Sequence, residues 1–326
     1  MRKHILAVLT ALLLPLGVGA GTAAASDPTQ AVGQEASSEQ SASSDANATQ
    51  VAPSNRNVDV RIFSPGDSGD VTQTNAAGAL ALAGNANSTD QSASQTQSGA
   101  GTQAVGQEAN NDQTADASAN AVQVKPSNEN ISVRIDSPGD DGNVTQTNAA
   151  LAGAAAKNLN GTSQTADQDQ GGGSSCKCGG GDGVQAVGQK AFNDQSADAE
   201  ANAKQIHPSN DNKVVRIDSP GHDGDVEQSN VALAGALAGN LNGTEQSATQ
   251  EQGGGSGVQA VGQKAGSKQD ADADANAIQF KPSNSNTPVN IGGSGGGGSV
   301  TQTNAALALA LAANLNRTMQ EVTQTQ

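Results

Sequence analysis

Four segments, opening at Val71, Val144, Val226 and Val300, carry one pattern at every second residue. The pattern reads Val, Gln, Asn, Ala, Ala, Ala, Ala, Asn, Asn, Thr, Gln, Ala, Gln, Gln, and its only departure in four copies is Val322. The intervening positions range over Thr, Ser, Ala, Leu, Gly and charged residues. One face of each segment is specified and the other is free, at period two, as in a strand with one packed face.

A second landmark, "QAVGQ", recurs at Gln30, Gln103, Gln185 and Gln259, with spacings of 73, 82 and 74 residues. The longer spacing contains the insert "GGGSSCKCGGGDG". Each landmark lies 41 residues before the opening Val of the other segment, even in the last copy, whose middle has become "IGGSGGGGS". The chain divides into a leader at residues 1–25 and units at 26–100, 101–183 (with the Cys-containing insert), 184–257 and 258–326, separated by flexible Gly-rich joints. A unit is arm A ("QAVGQEANNDQTADASANAVQ" in the second copy), a connector, and arm B.

Composition says what the fixed face is for. Three Phe, no Trp and no Tyr among 326 residues leave no large side chains for a globular core. Ala buries too little apolar area to replace them. Asn and Gln stacked at the strand spacing of about 4.8 Å form amide ladders, and Ala between them lets facing sheets approach. The ladder positions are Gln73, Asn75, Asn85, Asn87 and Gln91; Gln146, Asn148, Asn158, Asn160 and Gln164; Gln228, Asn230, Asn240, Asn242 and Gln246; and Gln302, Asn304, Asn314, Asn316 and Gln320. The expected fold is all-β, a repetitive β-solenoid or cross-β-like stack of four units of about 74 residues. Short helices are the alternative for Ala/Leu segments such as 305–315, because Ala favours helices and is depleted in strands. Arms of 21 and 27 residues exceed ordinary strands, which predicts that each breaks into two or more strands at tight arcs.

The start reads as a secretory signal peptide: Arg2 and Lys3, an apolar run from Ile5 to Val18, then a small-residue exit at Ala23, Ala24 and Ala25. No second apolar run of spanning length follows. The expected location is secreted or at the cell surface. The formal net charge is −16, two more negative without the leader, and disfavours nucleic acid and anionic lipid as partners.

Little else carries chemistry. Cys176 and Cys178, one residue apart, suit a disulfide within or between chains, and alone they lack the other ligands of a zinc site. The connectors hold "SPGDSGD", "DSPGDDGN" and "DSPGHDGD", which read as turns, with weak calcium binding as the alternative. "PSNEN" reads as a turn before the strand "ISVRID". Arg61, Arg134 and Arg216 are expected to pair with nearby acids. His207 and His222 do not recur across units, and no catalytic set, cofactor site or metal quartet can be assembled. An enzyme is not expected.

The arms, "TQTNAALAGAAAKNLNGTSQ" and "QAVGQEANNDQTADASANAVQ", resemble the repeats of curli-type functional amyloids, though with longer units and a Pro-containing connector. That resemblance implies a β-solenoid that assembles with itself into fibres of a biofilm matrix. The residues themselves support a secreted structural protein stacking through its Gln/Asn/Ala faces into fibres, a matrix or a surface coat. The alternatives are a monomeric acidic solenoid binding calcium, glycan or ice, and a disordered hydrated stalk.

Overall fold

The computed structural model describes residues 16–17, 21–24, 29–99, 101–171, 183–253 and 257–326. They form fourteen strands and no helix: β1 (Leu16–Gly17), β2 (Gly21–Ala24), β3 (Thr29–Val51), β4 (Ser54–Ile62), β5 (Val71–Ser98), β6 (Thr102–Val124), β7 (Ser127–Ile135), β8 (Val144–Gly171), β9 (Val184–Ile206), β10 (Ser209–Ile217), β11 (Val226–Gln252), β12 (Val258–Phe280), β13 (Ser283–Ile291) and β14 (Val300–Thr325). The chain is a β-solenoid-like stack. Each unit contributes one arm A strand, one short strand and one arm B strand to three parallel sheets, β3-β6-β9-β12, β4-β7-β10-β13 and β5-β8-β11-β14. The β1 and β2 segments pair with parts of the free edge of β5. This ordered stack is not the disordered stalk that low hydrophobicity permits, because backbone pairing and amide bonds supply what apolar burial cannot.

Register is exact repeat on repeat. Gln73 aligns with Gln146, Gln146 with Gln228 and Gln228 with Gln302. The 82-residue offset between the second and third units leaves this alignment intact, since Gln103 still faces Gln185.

One expectation requires correction, and one alternative falls away. Each arm is one unbroken strand, 23 residues in β3 and 28 in β5, rather than several strands joined by arcs. In a parallel stack every residue is paired by its counterpart above or below, so small residues give no reason to turn. The segment 305–315 is also strand, within β14 and paired residue for residue with β11. Its Leu307, Leu309 and Leu311 all lie on one exposed side, and tertiary pairing overrides the helical preference of Ala.

Turns occur where the backbone leaves the extended region. Ala52, Lys125, His207 and Lys281 have φ near +50° and each precedes a proline. That proline bars the right-handed helical region to the residue before it. The second corner falls at Phe63, Asp136, Asp218 and Gly292, again with positive φ.

Within a unit the arms face each other in opposite directions. Gln30, Gln34 and Gln40 donate across the seam to the carbonyls of Thr96, Ser92 and Ala86 at 3.2, 2.8 and 3.0 Å. The short strand faces the start of arm B, where Asn55 Nδ2 donates to the Thr74 carbonyl at 3.1 Å. The core between the arms is a seam of alanines, including Ala81, Ala119, Ala154, Ala199 and Ala236. Arm B sits between levels, so β5 packs on both β3 and β6, β8 on β6 and β9, and β11 on β9 and β12. At the last level β12 is the one arm A strand on which β14 packs.

Candidate functional site: amide ladders and a charged corner

The amides of arm B stand one above another because the strands are in register. Gln146 Nε2 lies 2.8 Å from Gln73 Oε1, Gln228 Nε2 2.9 Å from Gln146 Oε1, and Gln302 Nε2 2.8 Å from Gln228 Oε1. Gln164, Gln246 and Gln320 continue a ladder from Gln91 at 2.7, 2.8 and 2.6 Å. Asn75, Asn148, Asn230 and Asn304 form another, at 3.0, 3.0 and 2.8 Å. Asn85, Asn158, Asn240 and Asn314 run beside Asn87, Asn160, Asn242 and Asn316 with links of 2.8–3.0 Å. Burial matters here, because an amide withdrawn from water needs its partners. Asn160 and Asn242, each opening an Asn-Gly-Thr sequon, are buried in these ladders.

The ladders have a direction. These Gln side chains donate toward the first unit, and these Asn side chains donate toward the fourth. Gln146 donates twice, to Gln73 Oε1 and to the Asp211 carbonyl at 3.1 Å. Gln73, with no unit beneath it, makes only the second kind of bond, to the Glu129 carbonyl at 3.0 Å. At the other end Gln302 donates downward to Gln228, and the ladder stops at its own Oε1. Among the described residues, the first unit thus lacks an acceptor below Gln73, and the fourth lacks a donor above Gln302.

Further amides stack that were not singled out from the sequence, those of arm A such as Gln34, Gln107, Gln189 and Gln263 among them, and two sets differ in kind. "PSNEN" is not a turn: Ser127, Asn128, Glu129 and Asn130 belong to β7. Asn55, Asn128, Asn210 and Asn284 form a ladder with links of 2.9 Å, and Asn57, Asn130, Asn212 and Asn286 one with links of 2.7 Å. The readable signal was Asn at every second residue in all four copies. The other set is local. Asn111 and Asn193 cross the seam, and Asn87 Nδ2 and Asn160 Nδ2 donate to their Oδ1 atoms at 2.6 and 2.7 Å. Ser38 and Ser267 occupy that register in the outer units, so repetition did not mark it.

The corner after the short strand is ionic. Arg134 and Arg216 are buried although the alternation placed them on a polar register. Arg134 Nε lies 2.8 Å from Asp141 Oδ1, and Arg216 Nη1 lies 2.7 Å from Asp141 Oδ2. One carboxylate therefore bridges guanidinium groups of two units. Arg61 pairs with Asp59 at 3.3 Å, and the Ser68 hydroxyl donates to Asp59 at 2.7 Å. That hydroxyl, ahead of Arg61, holds the Asp59 carboxyl below its ordinary value against the opposing effect of burial. The fourth unit carries Asn290 in the Arg position and Gly297 in the acid position, so both charges are lost together.

The loop acids work as rungs between units. Asp67 Oδ1 accepts from Asp140 N at 2.9 Å, Asp140 Oδ1 from His222 N at 2.8 Å, and Asp225 Oδ1 from Ser299 N at 2.7 Å. Gly139 and Gly221 have φ of 135° and 141°, and a Cβ at either would strike the glycine carbonyl of the preceding unit. Turn chemistry and close stacking explain these residues without a cation. No group of three or more His, Cys, Asp or Glu is placed to hold a metal among the described residues. No helix among them is long and apolar enough to cross a membrane. Cys176 and Cys178 lie outside the described residues, as does most of the leader.

No family model, curated protein or solved structure matches the chain.

Proposed function

We propose that this protein is a structural subunit that stacks end to end with copies of itself into extracellular fibres or a surface coat. One observation carries this reading: the ladders end in complementary groups. Gln302 at the fourth unit offers an acceptor where Gln73 at the first has a spare donor. The half-level overhang of β14 supports it, because a following copy's first arm A strand would add to β12 and cover β14. An open, in-register edge is a template for another strand. Buried Gln and Asn give the contact specificity, since a shifted register would strand amides away from water.

Residues 26–326, concentrated and examined by electron microscopy and fibre diffraction, test the reading. Unbranched filaments with a reflection near 4.8 Å along the axis are expected. A chain that stays monomeric at high concentration, with no filaments, sinks it.

A further inference from the structure

The two broad outer faces of the stack differ. On the β3-β6-β9-β12 side, Asp116, Asp198 and Asp272 lie in register and push against one another. Such a face repels a copy of itself. The outer face of β5-β8-β11-β14 is apolar over residues 76–86 and their counterparts. Leu80, Leu151, Leu233 and Leu309 are exposed on it, and Lys157 is its single charge. Leucines alternate with gaps: Leu80 aligns with Gly153, and Gly235 with Leu309. Ridges beside glycine hollows suit an interdigitated contact with a second copy of the same face.

We infer that assembled stacks of this protein pair laterally, face to face, through this Leu/Gly surface. The inference rests on the fibre reading above. The area decides the order of events. Ten residue steps of about 3.4 Å and four strands about 4.8 Å apart give a patch of roughly 650 Å². A stable interface buries about 800 Å² per partner. A single chain falls short of that, whereas two stacked copies exceed it. Lateral pairing therefore follows stacking, and single chains do not dimerise through this face. Two-fold pairing of like faces also keeps the acidic faces outermost, in water.

The test compares mass per length of filaments from the unaltered chain, a Leu151→Lys/Leu233→Glu variant and a Leu159→Thr/Leu241→Thr variant. None of these residues belongs to an amide ladder, and the Lys/Glu pair stacks as opposite charges on neighbouring strands. The expected result is paired filaments for the unaltered chain and single filaments, with half the mass per length and the same 4.8 Å reflection, for a variant. Unaltered filaments that are single overturn the pairing and leave the fibre reading standing. Variants that remain paired also overturn it, as do single filaments that coat phosphatidylcholine vesicles, which would assign the face to lipid. Absence of filaments from the unaltered chain removes both readings.

Discussion

Arg134 and Asp141 form an ion pair of 2.8 Å inside the stack, and the same carboxylate holds Arg216 of the next unit at 2.7 Å. Asp141→Ala leaves two buried guanidinium groups without their shared counter-charge, at an expected cost of about 3–5 kcal/mol. The pair of Arg56 with Glu129 is nearly as short, at 2.9 Å, but Arg56 is 62% exposed, so Arg56→Ala is expected to cost less than about 1 kcal/mol. Guanidinium unfolding midpoints of both variants check the contrast.

Asn160 bonds in three directions. It accepts from Asn87 at 3.0 Å and donates to Asn242 at 2.8 Å and Asn193 at 2.7 Å. Asn160→Ala strands those amides, at about 1–3 kcal/mol for each buried group left unpaired. Ser163→Ala, on the outward register of the same strand, is expected to change stability by under about 0.5 kcal/mol. Denaturant titration of the two variants measures the difference.

Acid should help before it harms. Burial, then repulsion from Asp272 and Asp116, raises the Asp198 carboxyl above its ordinary value of 3.8. Its folded-state value lies above its unfolded one, so ionisation penalises the fold at neutral pH. The penalty is relieved as pH falls through the raised value toward 3.8. Asp59 acts oppositely: its value is lowered, so its contribution holds above 3.8 and is lost as pH falls below it. Stability measured from pH 7 downward is expected to rise and then fall. Asp198→Asn is expected to be more stable than the unaltered chain at pH 7 and to show a shallower rise.

The alanine seam has no spare width. Ala119, Ala154 and Ala199 are buried among other alanines of the facing arms. Ala199→Leu must push two laddered sheets apart, so its cost is expected at or above the usual 1–3 kcal/mol of overpacking. Loss of the 4.8 Å reflection or a large fall in thermal midpoint is the readout.

Much of this architecture was legible because stacking repeats what it needs. The fourteen-position register marked the inward face of arm B, and the hydrogen bonds of Gln146, Asn148 and Asn160 lie on it. What escaped is physically distinct. The length of β5 was hidden because ordinary strands are short, and only pairing along the stack sustains 28 residues. Asn128 and Asn130 resembled turn residues next to Pro126, and their period-two spacing was the overlooked sign. The burial of Arg134 depends on Asp141, seven residues away, and on the carbonyl of Gly66 in another unit at 2.8 Å. No local pattern announces a partner that distant. The joint loss of charge at Asn290 and Gly297 was the one clue available.

The preserved register across offsets of 73, 82 and 74 residues has a genetic consequence. Since the ladders depend on translation along one axis and not on the length of the joints, units can be duplicated, deleted or exchanged without re-phasing their neighbours. A passenger peptide spliced at one joint would be carried once per chain.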